Sequence, residues 1–126
     1  MAGFVLVVDD DPGFHSLATR ILRAAGVKMV ATAANAAQAL TAADALQPSA
    51  VLVDVGLPDR DGVDLARELA ARPWRPRVVL TSTDKDAVAG SPGAGEGDAL
   101  PFVPKEDLPT APLSRLLIAE WGPVDR

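Results

Sequence analysis

The sequence predicts an α/β fold: a doubly wound parallel sheet of five strands with helices on both faces. Short apolar runs alternate with segments of helical periodicity, which is the pattern of successive βα units. Two of the runs, Phe4–Val8 and residues 50–53, are apolar at every position, as strands covered on both faces are. Carboxylates, a hydroxyl and a lysine recur just past the runs, at what would be one edge of the sheet.

The first strand, Phe4–Val8, leads directly into Asp9-Asp10-Asp11. Residues 12–25 read as a helix because Phe14, Leu17, Ala18, Ile21, Leu22 and Ala25 recur at three- and four-residue intervals. Asp11 supplies the N-cap, Pro12 suits the first helical position, and Gly26 stops the pattern. Residues 27–32 form a weaker, mixed strand, and 35–46 an alanine-rich helix with a thin apolar stripe. The third strand, 50–53, precedes a helix over 62–71 that ends at Arg72-Pro73. The fourth strand covers 77–80. Residues 100–103 are the fifth, held to a sheet edge by Pro101 within it and Pro104 after it. The fully apolar strands belong at the centre, and the second and fifth outermost.

Gly90, Pro92, Gly93, Gly95, Gly97 and Pro101 crowd the place where the alternation calls for a fourth helix. Inside a helix, glycine costs about 1 kcal/mol and proline about 3 kcal/mol relative to alanine. The expectation is a shortened or disordered fourth helix, limited to residues 83–89, then a mobile loop over 90–99. A last helix over 108–121 is interrupted early by Pro109 and Pro112.

A chain of 126 residues is expected to be one domain, 1–126, with no attached output domain. A net charge of −5 argues against direct contact with nucleic acid. The absence of cysteine excludes disulfides and thiolate metal sites. The N-terminal run lacks a basic flank and meets three aspartates, so it is a strand and not a signal peptide. No run reaches the roughly 20 apolar residues of a membrane span, and the cytoplasm is the expected compartment.

In doubly wound sheets, ligands bind at the carboxyl ends of the strands. Asp9, Asp10 and Asp54 would meet there. Two carboxylates 4 Å apart repel by roughly 4 kcal/mol at an effective dielectric of about 20, so the cluster calls for a cation. An all-oxygen donor set favours Mg²⁺ or Mn²⁺. A carboxylate that attacks phosphorus forms an acyl phosphate. The cation, Lys105 and Thr81 could then each serve one phosphoryl oxygen.

Four elements in order carry a family resemblance: Val7-Val8-Asp9-Asp10; Asp54 with Leu57-Pro58 and Asp61-Gly62; Val79-Leu80-Thr81-Ser82; and Phe102-Val103-Pro104-Lys105. Along almost its whole length the chain resembles the receiver (response regulator) domain of bacterial two-component signalling. The resemblance implies a flavodoxin-like sheet of strand order 2-1-3-4-5. It implies Asp54 as phosphoacceptor, supplied by a histidine kinase or phosphotransfer protein and acting on an unknown downstream protein. Asp10, Asp54 and the main-chain carbonyl of Gly56 would hold Mg²⁺, with Asp9 contributing mainly through water. Thr81 and Phe102 would be the switch residues. The chain departs from the family pattern at Glu106, where proline often follows the lysine; a trans bond is expected. It also departs at the shortened fourth helix, part of the usual output surface.

Simpler roles account for several other residues. Helix capping explains Asp11, and Asp59 and Asp61 read as turn and helix-dipole residues. His15 reads as solvated or partly packed, and Phe102 could be ordinary edge packing. The segment 93–97 follows no first strand and reads as a loop, not a phosphate cradle. Arg72, Arg75 and Arg77 around Trp74 read as a solvated connection. Two rival functions remain: a receiver-like interaction module that no longer cycles phosphate, and a haloacid dehalogenase-type phosphatase with Asp9 as nucleophile. The latter lacks an acidic pair after the lysine.

Overall fold

The computed structural model describes residues 4–83 and 100–108. Its elements are β1 (Phe4–Val8), α1 (Pro12–Ala24), β2 (Met29–Ala33), α2 (Ala36–Leu46), β3 (Ala50–Asp54), α3 (Gly62–Ala70), β4 (Arg77–Ser82) and β5 (Phe102–Pro104). One turn of 3₁₀ helix, Lys105–Asp107, follows β5. The strands form one parallel sheet in the order β2-β1-β3-β4-β5, as the sequence predicts. Most of the anticipated short helix at 83–89, the loop at 90–99 and most of the helix at 108–121 lie outside the described residues.

Alternate residues of each strand point to opposite faces, and the core divides accordingly. Leu6, Val8, Val51, Val53, Val78 and Leu80 pack with Ala36, Ala39 and Ala43 of α2 and Val63, Ala66 and Leu69 of α3. Val5, Val7, Leu52 and Val79 pack on the other face with Phe14, Ala18 and Leu22 of α1 and with Val103 and Leu108. The buried residues of α2 in this core are all alanines.

Several boundaries shift by a few residues, each for a local reason. β2 begins at Met29 and not at residue 27, because the Val27 amide still bonds to the Leu22 carbonyl and closes the end of α1. Gly26 makes that closure possible with a φ of 105°, a conformation glycine adopts without a side-chain clash. β3 and β4 run one and two residues beyond expectation, so Asp54 and Thr81 lie within strands rather than past them. β5 is Phe102–Pro104, not 100–103; Pro101 precedes it and Pro104 ends it, opposite Ser82. Among the described residues no peptide bond is cis.

Candidate functional site

Asp9 ends the first apolar run and is fully buried. Its amide donates to the Ala33 carbonyl at 3.0 Å, fixing the residue against the end of β2. Its carboxylate Oδ1 accepts the Asp11 amide at 2.9 Å, and its Oδ2 lies 2.5 Å from the Lys105 Nζ. Its carbonyl accepts from His15 Nε2, which therefore carries the ring proton. Asp11 caps α1 through a 2.9 Å bond from the Gly13 amide, the role expected of it.

Asp54 is the last residue of β3 and stands directly opposite Thr81 in the β3–β4 register. One carboxylate oxygen from each of Asp9, Asp10 and Asp54 lies within 4.8 Å of the others, with Asp10 exposed and the other two buried. Burial raises the Asp54 pKa above the ordinary carboxylate value, and the negative charge of Asp9 adds to the rise; Lys105 and the Gly56 amide oppose it. The Lys105 ammonium lies 3.9 Å from Asp54 and 4.3 Å from the centre of the Phe14 ring, a cation–π contact.

The expected site residues thus converge: Asp9, Asp10, Asp54, Thr81 and Lys105 meet at the carboxyl ends of β1, β3, β4 and β5. Gly56 sits beside Asp54, two residues beyond it. Phe102 lies partly buried against the α2–α3 side of the sheet, opposite Leu80 in register. The Thr81 hydroxyl is buried and has no hydrogen-bond partner among the described residues. A buried, unpaired hydroxyl beside clustered carboxylates fits a site that a cation and an oxyanion complete.

Gly62 shows why Asp61-Gly62 follows Asp54 at this distance. A Cβ at Gly62 would lie 2.3 Å from the Asp54 carbonyl oxygen and 2.5 Å from the Val55 Cα. Only glycine lets α3 start against the backbone of the acceptor strand, where the Gly62 amide bonds to the Val55 carbonyl at 3.0 Å. Asp61 caps α3 through the Val63 amide at 3.0 Å.

Asp59 does more than its reading as a turn residue allowed. Its two oxygens accept the amides of Ala36 and Ala37, at 2.9 and 3.1 Å, at the start of α2. These amides, Ala36 first, hold its carboxyl below the usual carboxylate range. No local spacing signals this contact, because the partners are 22 and 23 residues away. His15 is partly packed, as anticipated, but its bond to the Asp9 carbonyl was not legible in sequence.

The response regulator receiver domain family matches residues 5–106. The DNA-binding response regulator MtrA of Mycolicibacterium smegmatis is 43% identical over 105 residues, which cover 81% of this chain and 46% of that protein. A protein-glutamate methylesterase/protein-glutamine glutaminase of Shewanella frigidimarina is 34% identical over 113 residues, 87% of this chain and 28% of the relative. The chain therefore spans about half, or less, of the length of these curated relatives. Among solved structures, chemotaxis protein CheY4 of Vibrio cholerae gives a TM-score of 0.75 at 23% identity, covering 93% of this chain and 100% of that one. The BeF₃-activated receiver domain of nitrogen regulatory protein C gives 0.71 at 26% identity, covering 97% and 98%. With its sheet order, its carboxylate cluster and a match from Val5 to Glu106, the chain belongs to the response regulator receiver domain family.

Proposed function

We propose that Asp54 accepts a phosphoryl group from a phosphohistidine of a histidine kinase or phosphotransfer protein, in a reaction that needs Mg²⁺ or Mn²⁺. One observation carries the reading: Asp9, Asp10 and Asp54 offer oxygens within 4.8 Å of one another, with Lys105 beside them. The relative crystallised with Mg²⁺-BeF, TrrA of Thermotoga maritima, shares the fold with a TM-score of 0.69.

Asp10, Asp54 and the Gly56 carbonyl would hold the cation, with Asp9 acting mainly through water. When bound, the cation neutralises phosphoryl charge that the acidic cluster would otherwise repel. An Asp54 carboxylate oxygen attacks phosphorus, the P–O bond forms, and the P–N bond breaks with its electron pair left on the imidazole. Lys105 pairs with a phosphoryl oxygen, and the Thr81 hydroxyl donates to another. Thr81, near the end of β4, and Phe102, the first residue of β5, then change a partner-binding surface for an unidentified downstream protein. The protein acts on itself, in its own phosphorylation and dephosphorylation, and on no separate substrate.

A cytoplasmic setting belongs to the same reading. Among the described residues no helix is long and apolar enough to cross a membrane. The net charge of −5 disfavours direct nucleic-acid contact by these residues, although the MtrA relative is named as DNA-binding. The test is intact mass after treatment with acetyl phosphate or phosphoramidate. One phosphoryl group should be added with Mg²⁺, and none with EDTA or in Asp54→Asn. Stoichiometric labelling of Asp54→Asn would move the acceptor elsewhere.

A further inference from the structure

We infer that Asp59 is a positioning residue for the cation site, holding the Gly56 stretch in place by clamping the first two amides of α2. The inference rests on the reading of Asp54 as a cation-dependent phosphoacceptor. Residues 55–61 connect β3 to α3, and the connection is pinned at both ends. The Val55 amide bonds to the Thr81 carbonyl and the Gly62 amide to the Val55 carbonyl, each at 3.0 Å. Between these pins Leu57 is buried, whereas Gly56, Pro58 and Asp59 are exposed. A buried leucine fixes the depth of a loop but not its rotation, because apolar contact is non-directional.

Asp59 supplies direction. Its carboxylate straddles α2, with Oδ1 2.9 Å from the Ala36 amide and Oδ2 3.1 Å from the Ala37 amide. The helix already has its own cap: Asn35 accepts the Gln38 amide at 2.8 Å, and Gln38 accepts the Ala34 amide at 2.9 Å. That reciprocal cap leaves the first two helical amides for a partner from another segment. A carboxylate is also the partner that the positive end of a helix dipole favours.

The same stretch of chain steadies the other acidic loop. The Ala33 carbonyl accepts the Asp9 amide at 3.0 Å. Residues 33–37 therefore touch both loops that supply the site, through Asp9 on one side and Asp59 on the other. Asp59 lies three residues beyond Gly56, too near for the intervening backbone to absorb a displacement. Its release would loosen the Gly56 carbonyl that the cation needs.

Calorimetric titration of Mg²⁺ at 10 °C tests this with four proteins: wild type, Asp59→Ala, Asn35→Ala and Asp64→Asn. Asp59→Ala should weaken the Mg²⁺ dissociation constant roughly tenfold, the low end for loss of an outer support of a metal site. Hydrogen exchange at the Gly56 amide should quicken in parallel. Asn35→Ala removes a cap of α2 without touching the loop, so it should lower the melting temperature and leave Mg²⁺ affinity at the wild-type value. Asp64→Asn removes an exposed charge at the start of α3 and should change affinity less than about twofold. Wild-type affinity in Asp59→Ala overturns the inference, as does equal weakening by Asp64→Asn, which would reduce the effect to charge. Should Asp59→Ala not fold, Asp59→Asn carries the same test with one acceptor oxygen retained. Failure of the wild type itself to bind Mg²⁺ would instead overturn the phosphoacceptor reading.

Discussion

Lys105 lies 2.5 Å from Asp9 and 3.9 Å from Asp54, so its nearer partner is the fully buried carboxylate and not the acceptor. The lysine thus has a structural duty before any phosphoryl group arrives. Removing one member of a buried pair leaves the other charge uncompensated, at a cost of about 3 kcal/mol. Lys105→Ala should lose about that much stability in urea unfolding with EDTA, and Mg²⁺ should restore part of it. Wild-type stability of the variant in EDTA would show that Asp9 does not need the ammonium.

Asp54 gives a pH signature of opposite sense to an ordinary ion-paired carboxylate. Burial, with the charge of Asp9, raises its folded pKa above the ordinary value of 3.8. Between those two values the folded state binds the proton more tightly than the unfolded chain. The resulting stability is complete below 3.8 and is lost as pH rises through the folded value. In EDTA at neutral pH, Asp54→Asn should therefore be more stable than wild type, with the advantage shrinking as pH falls. A constant difference across the titration would contradict the raised pKa.

Mg²⁺ should relieve the same repulsion. At ten times its dissociation constant, a ligand specific for the folded state stabilises by about 1.4 kcal/mol. For a domain of this size that corresponds to a rise of about 5 °C in Tm. Asp10→Asn should blunt the response without making the metal-free protein less stable. A melting curve indifferent to saturating Mg²⁺ would count against the site.

Gly62 admits no side chain. The backbone atoms 2.3 and 2.5 Å from a built Cβ belong to Asp54 and Val55 and cannot swing away. Gly62→Ala should cost about 3 kcal/mol by overpacking and should disturb the acceptor loop along with the helix start. Unchanged stability and Mg²⁺ affinity in this variant would mean that α3 shifts freely.

Thr81 separates stability from signalling. Its hydroxyl is buried without a hydrogen-bond partner among the described residues, so Thr81→Val should keep stability within about 1 kcal/mol of wild type. The same variant should show smaller amide shifts on adding beryllofluoride with Mg²⁺, whereas Thr81→Ser should respond as wild type does. Full shifts in Thr81→Val would remove the hydroxyl from the switch.

Much of this protein was decided within short windows of sequence. The apolar runs at Phe4–Val8 and 50–53, the three- and four-residue rhythm behind α1, and the cap at Asp11 depend on neighbours a few residues apart, so their pattern is legible directly. The acidic, hydroxyl and lysine residues could be assigned to one site because parallel strands deliver all their carboxyl ends to one edge. Tertiary structure decided which of those groups touch. Lys105 reaches Asp9 first, His15 holds the Asp9 carbonyl, and Asp59 bonds to amides 22 and 23 residues away. Strand ends also moved, because pairing with a neighbour extends β3 to Asp54 and β4 to Ser82 beyond their apolar runs. Periodicity reports only which face a residue occupies within its own element. Distances between side chains on different elements follow from how the elements pack, and no local window of the chain contains that information.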